Sequence, residues 1–285
     1  NQDHILNNIR RKTHNRTFLN SATLEKMMSK KSQLLDELVD FCILRDGEGK
    51  DAYVFDNDLV KKLSNPIGFR NHNDATHIDT KETRSQRMID EGFSIVHLGA
   101  KYANGKRQVA RHALIRSEEV FHEFEPISKV ERILYRPGPL DEINTSESNI
   151  LSLTFNHGII NRLLYPHDLR ALRSIYMSHR TRFNPKHRIG SIELDSGEIQ
   201  AEVDMTVEYN GDITVFEGKN WKRNRNNFAV YQLFMPYRYY TMKKKKDNLQ
   251  INQINCCYVV RQQISNGEEE GSNLDLYLYT FDDPE

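Results

Sequence analysis

The sequence predicts an α/β fold in which a mostly helical N-terminal region precedes a part where strands and helices alternate. A helix over 21–45 is predicted by an apolar stripe at helical spacing, formed by Leu34, Leu35, Leu38 and Phe41. The dipeptide Asn210-Gly211 stands between segments rich in Val, Ile and Thr, which predicts a β-hairpin with a two-residue turn. After the hairpin, residues 228–234 are helix-like, and two apolar runs, over 254–260 and 274–280, are typical of strands.

The elements between the first helix and the hairpin follow from caps and periodicity. Asp56-Asn57-Asp58 caps a short helix through Leu63, and helix-forming residues predict another helix over 83–91. Near-alternation of apolar residues predicts a strand over 93–98, and residues 107–116 are a second strand candidate.

The clearest break in the chain is Arg136-Pro137-Gly138-Pro139, with two prolines and a glycine in four residues. A chain of 285 residues can form one large domain or two of ordinary size. We therefore predict an N-terminal α+β domain over 1–135 and a second domain over 136–285. In the second domain, apolar spacing predicts a helix over 147–165 and a further helix over 168–179.

The composition excludes two classes of protein. The chain has 40 Lys+Arg and 40 Asp+Glu, so it lacks the net charge of a disordered acidic or basic tail. No window approaches the ~18 consecutive apolar residues of a membrane span. The start is polar, and Cys42, Cys256 and Cys257 do not form a disulfide framework. We expect a cytoplasmic protein that does not bind membranes, with buried thiols.

Basic residues are concentrated in two segments although the net charge is zero. Residues 149–190 contain seven basic side chains and one acid, and residues 219–246 contain nine basic side chains and no acid. Such segregation suits a surface that binds the phosphates of nucleic acid. A solvated helix face would have the same composition.

The hairpin brings acidic side chains together. Because side chains alternate between the two faces of a strand, Glu202 and Asp204 share a face, and so do Glu217 and Lys219. Pairing about the turn puts Asp204 opposite Glu217, roughly 5 Å apart at Cβ. Facing carboxylates repel each other unless a cation lies between them, and Mg²⁺ is a hard ion that prefers such ligands. In the alternative, both carboxylates point into water.

This stretch resembles the PD-(D/E)xK nuclease motif. Twelve residues separate Asp204 from Glu217-Gly218-Lys219, and strand residues flank both parts. Val203 stands where the motif usually has proline. Hairpin, crossover helix and strand follow in the order of that superfamily's core, and Gln-Leu-Phe-Met-Pro-Tyr-Arg over 232–238 is similar to a segment of some bacterial type II restriction endonucleases. The resemblance covers about residues 190–280 and implies a central mixed sheet flanked by helices.

The resemblance also implies roles for the residues of the motif. Asp204 and Glu217 would ligate Mg²⁺, with the Gly218 carbonyl as a further ligand. Lys219 would orient the attacking water, help to deprotonate it and offset charge in the transition state.

Two further side chains would complete such a site. Glu202 would be an additional acid, for which Glu147 and Glu198 are weaker candidates. Gln232 would support the site from the helix that follows the lysine strand.

The function implied by the resemblance is that of a Mg²⁺-dependent type II restriction endonuclease that cuts double-stranded DNA at a short sequence. We expect a homodimer, a companion DNA methyltransferase, and target recognition by the N-terminal domain. Candidate DNA contacts come from the basic segments and a polar loop: Lys222, Arg223, Arg225, Arg182, Lys186, Arg188, Asn71 and Asn73. Two alternatives stay open, another nuclease of the same core for repair, recombination or RNA processing, and a non-catalytic nucleic-acid-binding protein.

Overall fold

The computed structural model of this chain describes residues 29–131, 147–220, 225–265 and 270–282. The predicted helix start over 21–28, the break at 136–139 and the candidate contacts Lys222 and Arg223 lie outside the described residues.

The chain divides into two compact units. The first lies within Asn1–His122, Asn184–Ile199 and Asn227–Ala229, and the second within Glu123–Phe183, Gln200–Asn226 and Val230–Glu285. The chain therefore passes between the units several times. The predicted roles of an N-terminal and a C-terminal domain stay predictions.

The helices of the described residues are, in chain order, α1 (Lys30–Asp46), α2 (Asn57–Ile67), α3 (His72–Ala75), α4 (Gln86–Asp90), α5 (Glu147–Asn156), α6 (Ile159–Leu164) and α7 (Tyr231–Asp247). Short 3-10 helices lie at Lys81–Thr83, Glu118–Val120 and Leu169–Arg173. None of the helices in this part of the chain is long and apolar enough to cross a membrane.

The strands of the described residues are β1 (Ala52–Asp56), β2 (Phe93–Gly99), β3 (Tyr102–Ala103), β4 (Lys106–Arg107), β5 (Arg111–Arg116), β6 (Phe121–Glu123), β7 (Ile175–Phe183), β8 (His187–Ile189), β9 (Ile192–Leu194), β10 (Ile199–Tyr209), β11 (Asp212–Asn220), β12 (Asn227–Ala229), β13 (Gln253–Ser265) and β14 (Glu270–Tyr279).

The first unit combines α1 to α4 with an antiparallel sheet in the order β1-β5-β2. Helix α1 begins after Ser29, whose Oγ accepts a hydrogen bond from the Ser32 N–H at 3.1 Å, and its predicted apolar stripe is buried. The Asp56 side chain caps α2 by accepting from the Leu59 N–H at 2.9 Å, as the sequence predicts. Strand β1 is not among the elements predicted from the sequence. Its alternate residues Tyr53 and Phe55 point into the core.

The second unit contains a five-stranded mixed sheet in the order β14-β13-β11-β10-β7. Strand β11 pairs antiparallel with β10 and parallel with β13, and β13 pairs antiparallel with β14. Helix α7 connects β11 to β13, which gives the long crossover that parallel strands need.

Helices cover both faces of this sheet. Residues of α5 and α6, among them Ile150 and Ile160, pack with Met205, Phe216 and Val259 in one buried cluster. On the opposite face, α7 reaches β10, where the Tyr240 hydroxyl donates to Thr206 Oγ1 at 3.0 Å. The prediction of an α/β fold with a mixed sheet flanked by helices is confirmed at this level.

Two helix predictions in the second unit need correction. The predicted helix over 147–165 is two helices, because Gly158 takes a left-handed conformation with φ 67° between α5 and α6. The predicted helix over 168–179 is wrong: a 3-10 helix over Leu169–Arg173 leads into strand β7. Pairing with β10 satisfies one side of the β7 backbone, and this tertiary contact outweighs the local helical spacing.

Candidate active site

The hairpin of β10 and β11 has the predicted register. Its turn residues Asn210 and Gly211 both have positive φ, 53° and 84°, as a two-residue turn of this type requires. The paired residues run from Met205 with Phe216 to Tyr209 with Asp212, and one step further along the strands lie Asp204 and Glu217.

The two faces of β10 differ as the two-residue period predicts. Ala201, Val203, Met205 and Val207 are buried, whereas Glu202 is exposed and Asp204 is half-buried. On the acidic face, solvent therefore reaches the hairpin at Glu202 and Asp204, whereas Thr206 on the same face is buried against α7.

Asp204 and Glu217 are each held by a neighbour on β11. The Gly218 N–H donates to Asp204 Oδ2 at 3.1 Å, and Lys219 Nζ lies 2.8 Å from Glu217 Oε1. The Glu217 and Lys219 side chains are only 11% and 14% exposed. A buried carboxylate is costly without a partner, so the Lys219 ammonium makes the position of Glu217 tolerable.

Glu202 has a different environment from the other two acids. Its Oε1 lies 3.0 Å from Arg180 Nε on β7, and both side chains are more than half exposed. Such a pair contributes little to stability because water screens it. The structure thus brings Glu202 to the basic β7 strand, and its predicted role as an additional acid stays a prediction.

Gln232 lies at the start of α7 and contacts the strand next to Glu217. The Tyr258 hydroxyl donates to Gln232 Oε1 at 3.1 Å, and Tyr258 is the register partner of Glu217 on β13. Register partners of a parallel pair point to the same face of a sheet, so Gln232, Tyr258 and Glu217 form a row. Tyr258 is fully buried and is absent from the residues that the sequence singles out.

The candidate residues supply only some of the oxygen ligands that a bound Mg²⁺ needs. In the part of the chain that the structure describes, no group of three or more His, Cys, Asp or Glu side chains could hold a metal ion. Asp204, Glu217 and the Gly218 carbonyl offer two carboxylates and one neutral oxygen. Mg²⁺ commonly uses one or two carboxylates and completes its shell with water and phosphate oxygens, which this set leaves room for.

The family of the chain can be stated from its C-terminal part. A family profile matches residues 116–285, which is more than half of the chain. The chain belongs to the DUF6997 family. That family is described as a domain of unknown function. No curated protein and no solved structure matches the chain.

The DUF6997 match contains the whole hairpin and α7, and so includes Asp204, Glu217, Lys219 and Gln232. The candidate DNA contacts fall on both sides of its boundary. Inside the match are Arg182, Lys186, Arg188 and Arg225, and outside it are Asn71 and Asn73.

The described candidate DNA contacts are divided between the two units. Arg182 is exposed on β7, and its guanidinium donates to Gln200 Oε1 at 3.2 Å; Arg225 is half-buried in the same unit. The other four belong to the first unit and are exposed: Lys186, Arg188, Asn71 and Asn73. The prediction of a loop at the last two needs correction, because Asn71 is the residue before helix α3 and Asn73 lies within it.

Proposed function

We propose that this DUF6997 member is a Mg²⁺-dependent endonuclease that hydrolyses phosphodiester bonds of double-stranded DNA at a short specific sequence. The observation that carries the proposal is the pair Asp204 and Glu217 on adjacent strands, with Lys219 beside it. Two adjacent carboxylates and a lysine are the groups that metal-assisted phosphodiester hydrolysis needs: metal ligands and a cation for the developing charge.

The topology around the pair supports the PD-(D/E)xK assignment. The carboxylates lie on an antiparallel hairpin, α7 follows, and β13 returns parallel to β11 with helices on both faces of the sheet. This is the order of elements in the superfamily that the motif resembles.

Each of four residues has a defined part in the proposed site. Asp204, Glu217 and the Gly218 carbonyl would hold Mg²⁺, which when bound lowers the pKa of a coordinated water and polarises the scissile phosphate. The Gly218 N–H fixes the orientation of Asp204 by its hydrogen bond to Oδ2. Lys219, held 2.8 Å from Glu217, would place its ammonium beside the attacked phosphate and orient the water.

The partners follow from the proposed reaction. Duplex DNA is the substrate, and a homodimer would cut both strands of a palindromic site symmetrically. The N-terminal region would contribute target recognition, and a companion methyltransferase would protect the same site in the cytoplasm of the host.

The decisive experiment is cleavage of unmethylated phage DNA by the purified protein in Mg²⁺ and in EDTA. We expect discrete bands in Mg²⁺ only. Lys219→Ala and Asp204→Ala should lower the cleavage rate by at least about 100-fold. Lys50→Ala, which changes an exposed lysine outside both basic segments, is the matched control and should cleave normally.

Two results would contradict parts of the proposal. Cleavage by Lys219→Ala at the wild-type rate would show that the active site is elsewhere. A Mg²⁺-dependent smear that needs Lys219 would retain the active site and replace the restriction enzyme by a processing nuclease.

A further inference from the structure

An exposed two-stranded ribbon extends from the first unit. Strands β3 and β4 pair through Tyr102 with Arg107 and Ala103 with Lys106, and the turn between them is Asn104-Gly105, again with positive φ at both residues. Every residue from 101 to 109 is exposed. A two-stranded ribbon without a buried face adds little to the packing of the unit, so its side chains are available to a binding partner.

The ribbon lies in the longest acid-free part of the described first unit. Residues 92–117 contain five basic side chains and no Asp or Glu: Lys101, Lys106, Arg107, Arg111 and Arg116. Lys106 follows the turn directly and is exposed, so the tip of the ribbon is cationic. Asn104 places an amide, which can both donate and accept hydrogen bonds, at the same tip.

The base of the ribbon is anchored to the segment that precedes β10. Ala100 and Glu198 exchange backbone hydrogen bonds of 3.0 and 2.7 Å, and the Tyr102 hydroxyl lies 3.3 Å from Glu198 Oε1. Lys101 forms an ion pair with Asp195, while Arg107 lies 3.9 Å from Glu198 and stays 43% exposed. The anchoring fixes the direction of the ribbon and leaves the cations near its tip accessible.

We propose that the β3–β4 ribbon enters the major groove of duplex DNA and contacts phosphates and base edges there. The proposal deepens the proposed function and rests on it, since it names the element that would bind the substrate. The major groove, about 12 Å wide, admits a two-stranded ribbon, and each base pair presents there a distinct pattern of hydrogen-bonding groups. Lys106 and Arg107 supply the groups that bind phosphate or guanine, and Asn104 one that binds adenine.

The test compares duplex binding by the full chain and by Lys106→Ala/Arg107→Ala. Fluorescence anisotropy with labelled mixed-sequence duplexes in EDTA measures binding without cleavage. We expect the Kd to rise by about 5- to 10-fold, and the slope of log K against log salt to fall by about one unit per lost phosphate contact. The control Lys50→Ala/Lys61→Ala removes two exposed lysines of the same unit and should bind like the wild type.

A second arm tests the groove. Duplexes in which every cytosine is replaced by glucosylated 5-hydroxymethylcytosine have a filled major groove, because the C5 position faces it. The wild type should bind them at least about 5-fold more weakly than plain duplexes, and the ribbon variant should show little further loss. Equal urea midpoints of the variants would exclude a folding defect.

The outcomes separate this proposal from the proposed function. If the ribbon variant binds and cleaves like the wild type, the proposed role of the ribbon is wrong and the proposed nuclease activity stands. Weakened binding by the variant, with no cleavage by the wild type in Mg²⁺, supports the ribbon and overturns the nuclease. A wild type that binds no duplex overturns both.

Discussion

At the scale of single residues, the proposed site is a place where function and stability conflict. Asp204 and Glu217 are like charges on facing strands, an arrangement that costs about 0.2–1 kcal/mol in a hairpin. The Gly218 N–H and the Lys219 ammonium offset part of that cost. The rest would be offset by a divalent cation.

Replacing one carboxylate by an amide makes this conflict measurable. Asp204→Asn keeps an oxygen for the Gly218 N–H and removes one negative charge, so we expect it to raise the free energy of unfolding in EDTA by about 0.5 kcal/mol. Mg²⁺ should stabilise the wild type and not the variant, because a ligand that binds only the folded state stabilises it. Urea denaturation with and without Mg²⁺ measures both effects.

The same measurement on Glu48→Gln is the control. Its carboxylate is exposed after α1 in the first unit and belongs to no candidate site, so the response to Mg²⁺ should be that of the wild type. Equal Mg²⁺ stabilisation of Asp204→Asn and the wild type would show that Asp204 is no metal ligand.

The residues of the site differ in how far the sequence could predict them. The facing positions of Asp204 and Glu217 can be predicted because a two-residue turn fixes every pair in the hairpin, and the observed pairs follow that register. The position of Tyr258 cannot be predicted in this way, because it lies beside Glu217 through the parallel register of two strands that a helix connects. No local pattern sets such a register.

At the scale of elements, the chain has two β-hairpins whose two-residue turn is Asn-Gly. Asn210-Gly211 joins β10 to β11, and Asn104-Gly105 joins β3 to β4. The second is detectable by the same signal, but the strands beside it are only two residues long and lack an apolar pattern. Strand β7 is not predicted from the sequence, because its pairing with β10 determines its conformation and its local spacing is helical.

The anchor of the ribbon depends on a close backbone approach at Gly99. A Cβ at Gly99 would lie far inside van der Waals contact with the Glu198 carbonyl, whereas a Cβ at Gly105 would meet no atom within 4 Å. Both glycines have similar φ, 65° and 70°, so alanine strains the backbone at both by about 1–2 kcal/mol.

We therefore expect Gly99→Ala to destabilise the protein more than Gly105→Ala. The additional loss should be at least about 2 kcal/mol, because neither backbone can move without breaking the hydrogen bonds between Ala100 and Glu198. Urea midpoints of the two variants give the difference. Equal midpoints would mean that the approach of the two segments is loose.

At the scale of the whole molecule, a histidine cluster links stability to pH. His97 lies between His77 and His112 with ring centroids 5.1 and 4.7 Å apart, and His112 Nε2 is 2.7 Å from Asn57 Oδ1. Burial, and then the neighbouring histidines, lower the pKa of His97 well below its usual value. Burial and His77 lower the pKa of His112 to about 4, against a smaller opposite effect of Asp56.

Acid should therefore destabilise the protein. The unfolded chain binds protons at these histidines below about pH 6.5 and the folded one does not, so stability is full above pH 6.5 and is lost as pH falls toward 4. His112 alone should lower the free energy of unfolding by about 2 kcal/mol between pH 7.5 and 5. Denaturation at the two pH values measures this loss.

The variant His112→Gln should lose part of that pH dependence, even if its stability at pH 7.5 is lower. His167→Gln changes an exposed histidine and should retain the whole of it. If His112→Gln and the wild type lose equal free energy between the two pH values, the cluster is not the cause.

The discontinuous first unit sets an order of events during synthesis. Its last segment brings Asn227, which accepts from the Lys81 N–H at 2.7 Å, and Ala229, whose N–H donates to the Asp79 carbonyl at 2.8 Å. Ribosomes add roughly 5–20 residues per second, so the chain from His122 to Ala229 takes on the order of 5–20 s to make. During that interval the nascent first unit is incomplete, and its apolar segments are a substrate for chaperones.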